Sequence, residues 1–119
     1  MAPLTDPERL EAYKNALDNW RFEDYVRFNL TEQSRRWVRQ TLGIRVNDFA
    51  RLMHEYVNAG GEVDEVRETR PAWSGEYEFH YDLRFAIEGV RVYIETRLHD
   101  YRPFVPDRPW IEVVNVHAP

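Results

Sequence analysis

Cysteine is absent from the 119 residues. That excludes disulfides, thiolate metal sites and a Cys nucleophile, and it suits a cytoplasmic protein. Lysine is nearly absent too: Lys14 stands alone against fifteen arginines. A GC-rich genome accounts for such a bias, and arginine forks also suit phosphates and carboxylates. Glycine is scarce, and none of the five residues belongs to a phosphate-binding loop. No apolar run reaches the ~18 residues of a membrane span, so no membrane partner is expected. The opening MAPLTDPERLEAYKNALDNW carries early acids and no apolar stretch. It is therefore not expected to be a secretion signal, and Asn29 in N-L-T is not expected to be glycosylated. A basic excess is also missing. The formal net charge is −5 and the pI about 5.4, which weighs against a dedicated nucleic-acid binder but allows a local basic face. The histidines lack HxH or HExxH spacing, so neither metal nor cofactor is expected. Serine nucleophiles lack a G-x-S-x-G context.

What is present is enough for a core. Hydrophobic residues make up 43% and aromatics 14%, which fits one domain over residues 1–119. Asp6-Pro7-Glu8 reads as a cap, a proline in the first turn and an acid at the positive helix end. Leu10, Tyr13, Leu17 and Trp20 follow at helical spacing. Thr31 caps a second helix that closes at Gly43. Phe49, Leu52, Met53, Tyr56 and Val57 define a third, ended by Gly60-Gly61. The segment from Arg21 to Asn29 is open between helix and extended chain. After residue 61 the period changes. A strand is expected over residues 62–71, a hairpin over 76–87 and 90–98, a proline-rich loop over 99–109 and a last strand over 110–117. Helices about 7–58 followed by a sheet about 62–117 make an α+β fold. Its N-terminal helices pack on one face of a C-terminal antiparallel sheet.

The hairpin carries the chemistry. Folded over Glu88-Gly89, it puts Phe79, Tyr81, Leu83, Phe85, Ile87, Val90, Val92, Ile94 and Leu98 on one face, with Thr96 out of pattern. The other face holds His80, Asp82, Arg84, Arg91, Tyr93, Glu95 and Arg97. This register opposes Asp82 to Glu95, Arg84 to Tyr93 and His80 to Arg97. Directly opposed carboxylates repel, with arginines on the diagonals to offset them. One reading is a surface ion-pair network; the other is an acid–base constellation with shifted pKa values. In the last strand Asn115 and His117 share a parity with Ile111 and Val113, so its inward face is ambiguous. If Val114 and Val116 face the core, His117 joins the polar face. Arg35, Arg36 and Arg39 form a basic patch on the second helix, either solvated or tracking phosphates.

Trp37 to Gly43, the Phe49–Val57 helix, YEFHYDLRFAIEGVRVYIETRL and IEVVNVH together resemble the small RelE/MqsR-type toxin fold over roughly residues 35–117. The resemblance implies a metal-independent endoribonuclease of the mRNA interferase type, working on the open sheet face. It carries over to Tyr93, Arg97 and His117, with Arg84 and Glu95 in support; the candidate catalytic residues are thus Tyr93, Glu95, Arg97 and His117, and the candidate RNA-binding residues are His80, Arg84, Arg35 and Arg39. The alternative is a non-catalytic module of the same fold whose charged face docks an antitoxin-like protein. A third possibility is a small-molecule site in a cystatin-like arrangement. The chain departs from the toxin pattern in its additional N-terminal helix, its acidity and its lack of a sheet lysine.

Overall fold

The computed structural model describes residues 2–22, 24–99 and 109–119. Its elements in chain order are β1 (Ala2–Pro3), α1 (Pro7–Asp18), β2 (Val26–Phe28), α2 (Glu32–Trp37) with a π turn (Val38–Leu42), and α3 (Asp48–Asn58). There follow β3 (Asp64–Arg67), α4 (Pro71–Ser74), β4 (Phe79–Ile87), β5 (Val90–His99) and β6 (Trp110–His117). The fold is α+β. One sheet runs β1-β3-β4-β5-β6-β2, antiparallel except where β2 lies parallel to β6. Among the described residues no helix is long and apolar enough to cross a membrane.

The helix signals are local and they act as expected. The Asp6 carboxylate accepts the Glu8 and Arg9 backbone N–H groups, and Thr31 Oγ1 accepts that of Ser34 at 3.1 Å. Both satisfy donors that a helix start leaves unpaired. Gly43 closes the π turn with a left-handed φ of 67°. At the hairpin, Glu88 and Gly89 both have positive φ, 51° and 79°. Two such residues match the right-handed twist of the flanking strands. The ladder therefore pairs Ile87 with Val90, Arg84 with Tyr93 and Asp82 with Glu95. It ends at Tyr81–Thr96, one pair short of His80–Arg97.

The core lies between the helices and one sheet face. Leu83, Val92, Ile94, Ile111, Val113 and Val116 are buried there with Tyr13, Leu17, Phe49 and Met53. Leu52, Phe79 and Phe85, expected inside, are only partly buried. Phe85 stacks on Tyr56 with ring centroids 4.6 Å apart, and Phe79 lies under the guanidinium groups of Arg9 and Arg67. Thr96, the break in the apolar pattern, is fully buried. Its hydroxyl donates to the Tyr81 carbonyl at 2.7 Å and so accepts from the Tyr13 hydroxyl at 2.8 Å. A polar side chain sits in the core without an unpaired group.

Several expectations are corrected. The strand over residues 62–71 shortens to β3, because Pro71 opens the short helix α4. The strand expected from Glu76 begins at Phe79. Two short strands, β1 and β2, come from the N-terminal half and cap the sheet edges. The mixed parity of the last strand has a geometric cause. Thr96 faces Val113 but Glu95 faces Asn115, so Val114 is the extra residue of a bulge. Ile111 and Val113 reach the core before it and Val116 after it, while His117 ends opposite Tyr93. Of the expected loop over 99–109, His99 ends β5, and residues 100–108 lie outside the described ones.

Candidate functional site

The polar face of the hairpin is not open. Asp82 is 1% exposed, Glu95 5% and Arg97 3%. The cause is the segment between β3 and β4, which folds over this face and brings Arg70, Trp73 and Tyr77 onto it. Its position follows from charge. Arg70 donates two hydrogen bonds to Glu68, at 2.7 and 2.9 Å, and reaches across to Glu95 at 2.5 Å. One planar fork thus ties its own segment to β5. The Arg70 hydrogen bonds hold the Glu68 carboxyl below its ordinary range.

Beside it lies a second group of partners. Asp82 receives His80 Nδ1 at 2.8 Å on one oxygen and the Tyr93 hydroxyl at 2.6 Å on the other. His80 Nε2 stands 3.8 Å from Glu68. The hydrogen bond to Asp82 raises the His80 pKa above that of a free imidazole. Burial, then the Asp82 bond, push the Tyr93 phenol up, so it stays protonated and donates. Arg84 donates to Asp64 at 2.7 Å and lies over the Tyr93 ring at 4.8 Å. Three buried carboxylates, Glu68, Asp82 and Glu95, thereby share Arg70 and His80 as partners. The repulsion in the opposed pair Asp82/Glu95 is offset by His80 of the hairpin itself and by Arg70 from outside it.

Arg97 marks the other end of the face. Its guanidinium lies 4.5 Å from the Trp73 ring and 4.3 Å from the Tyr77 ring. Its cross-strand neighbour is Glu112. Both Glu112 oxygens are already engaged, one by His99 at 2.9 Å and one by Asn29 at 3.0 Å. Burial raises the Glu112 pKa, but these hydrogen bonds outweigh it and the net shift is downward.

The expected catalytic quartet is therefore not one cluster. Tyr93 and His117 face each other, with ring centroids 4.7 Å apart. Glu95 belongs to the Arg70 fork, and Arg97 sits four residues beyond Tyr93 along β5, roughly 13 Å at the usual strand rise. Convergence of all four on one phosphate is ruled out by that spacing and by the burial of Glu95 and Arg97. His117 is exposed, and its Nδ1 donates to the Ala118 carbonyl. Of the four residues assigned to binding, His80 and Arg84 are in the network, whereas Arg35 and Arg39 are not.

Arg35 instead lines a cleft of about 440 Å³ between β2, α2 and α3, together with Trp20, Arg21, Arg27, Phe28 and Asn47. No acid is among the described residues of its wall. Arg39 is exposed and outside it. Ser34, next to Arg35, donates to Asn115 at 3.1 Å and ties this side of α2 to β6 near His117. Among the described residues no group of acids and histidines is arranged to hold a metal.

Glu68, Arg70, Trp73 and Tyr77 were not expected at the site. A proline at a first helical position and the Trp73/Tyr77 spacing of one helical turn were the available signals. No family model, curated protein or solved structure matches this chain.

Proposed function

We propose that this chain is a cytoplasmic binding module for single-stranded RNA, which it holds in the arginine cleft. One observation carries the reading. A chain of net charge −5 gathers Arg21, Arg27 and Arg35 around a concave wall that also presents Trp20 and Phe28. Guanidinium groups bind backbone phosphates, and aromatic faces stack on bases without demanding a sequence. Arg27 is steadied by lying 4.0 Å over the Trp110 ring. Binding of a fluorescent oligonucleotide, followed by anisotropy across a salt series, tests it. Arg27→Ala and Arg35→Ala should each weaken binding and flatten the log K–log salt slope by about 0.7 per lost phosphate contact. Affinity and slope untouched by either change would refute it.

A second reading, cleavage of that RNA, is favoured by the Tyr93–His117–Arg84 grouping. His117 Nε2 would take the 2′-OH proton and the 2′ oxygen would attack phosphorus. The 5′ oxygen would then leave with a proton from solvent, giving a 2′,3′-cyclic phosphate, with Arg84 offsetting the transition-state charge. Purified protein incubated with total RNA, with and without ribosomes, should yield cyclic-phosphate ends that His117→Ala abolishes at an unchanged melting temperature. Intact RNA in both arms removes this second reading and leaves the first standing.

A further inference from the structure

Arg97 presents an unmet demand at the far end of the roofed face. It is 3% exposed, yet its Nη1 has no hydrogen-bond partner, the one such buried side-chain atom among the described residues. A buried cationic donor is costly to leave unpaired. Glu112 meets the Arg97 charge from across the strand, but its two oxygens hydrogen-bond to His99 and Asn29 and not to Nη1. Glu68 and Glu95 are held by Arg70. Trp73 and Tyr77 cover the guanidinium face, so hydrogen bonding is left to its edge. Trp73 itself remains 42% exposed and offers an outer surface to whatever approaches.

We propose that Arg97 Nη1 is the anchor of a second site, separate from the arginine cleft, for a small carboxylic acid whose flat apolar body lies against Trp73. A guanidinium edge suits carboxylates and phosphates alike. The surroundings choose between them. Glu112 faces Arg97 across the strand with its carboxyl held below the ordinary range, so a single negative charge is tolerated where a dianion is repelled. The rings that cover Arg97 come from one short stretch, in which the Tyr77 N–H bonds to the Trp73 carbonyl at 2.9 Å. Admission of the ligand therefore needs that one stretch to shift.

The test is an NMR titration of the intact chain, reading the Arg97 Nε–Hε and Trp73 indole signals. Benzoate, acetate and inorganic phosphate are added separately at fixed ionic strength. Benzoate should shift both signals saturably, with acetate weaker and phosphate weaker than benzoate by about tenfold. Trp73→Ala, at a half-exposed position, should keep the fold and weaken benzoate by about tenfold. Arg97→Lys should lose the saturable shift, because an ammonium lacks the planar edge. If that variant does not fold, the wild-type and Trp73→Ala titrations decide alone. No saturable shift with benzoate, an equal response in Trp73→Ala, or tighter binding of phosphate would each overturn the proposal. None of these outcomes bears on the RNA titration, which reads a different wall.

Discussion

The two faces of the β4–β5 hairpin are made from alternate residues of the same strands, and both are buried by different means. On the helix side Leu83, Val92 and Ile94 are covered by hydrocarbon from α1 and α3. On the other side Asp82 and Glu95 reach the same depth under one short segment, held by an arginine fork and a histidine. Apolar burial asks only for volume and is nearly indifferent to pH. Polar burial asks for named partners in named charge states. One face should therefore yield to cavities, the other to unpaired charge.

The largest effect is expected on the apolar side. Leu83→Ala and Ile94→Ala should each lower stability by about 2–5 kcal/mol in urea denaturation, with the loss independent of pH. On the polar side Arg70→Ala strands Glu68 and Glu95 together. The arginine is half-exposed, so solvent softens the loss to about 1–3 kcal/mol. A loss in Arg70→Ala as large and as pH-independent as that in Leu83→Ala would erase the distinction between the faces.

The sign of the pH dependence sharpens it further. Glu68 has a folded pKa below its unfolded value, near 4.3 for a free glutamate. Its contribution is present above that value and is lost as pH falls through the folded one. His80 has a folded pKa above its unfolded value, near 6.5. Its contribution is full below 6.5 and is lost as pH rises through the folded one. Melting temperature against pH at constant salt should thus fall on both sides of a plateau. Arg70→Ala should flatten the acid limb and His80→Asn the alkaline limb, leaving the other limb in place.

The same contrast explains what could be read from residues alone. Caps at Asp6 and Thr31, the apolar face of α3 and the register around Glu88-Gly89 depend on neighbours a few positions apart, so local pattern was sufficient. The membership of the polar face was legible for the same reason. Its burial was not, because Arg70 meets Glu95 across 25 positions and a short turn that no periodicity announces. The bulge was half legible. Adjacent Val113 and Val114 break the alternation, but only the pairing shows which valine is extra. The cleft around Arg35 was likewise visible only as a basic patch on the second helix, since Arg21 and Arg27 arrive from the chain before it.

The smallest predicted effect isolates environment from chemistry. Arg51–Glu55 and Arg70–Glu95 are both arginine–glutamate pairs, at 3.0 and 2.5 Å. In the first, both side chains are about half-exposed, at 46% and 56%; in the second, the glutamate is 6% exposed. Water already solvates the Arg51–Glu55 charges, so holding two long side chains together gains little. Its double-mutant cycle should return about 0.3–0.5 kcal/mol and fade with added salt. Glu95 has lost its water, and the cycle with Arg70 should return about 1–2 kcal/mol with weaker salt dependence. Equal coupling energies would mean that the segment over the polar face admits water freely. Glu95 would then be solvated like any surface acid, and the roof would confer no special depth on the charges beneath it.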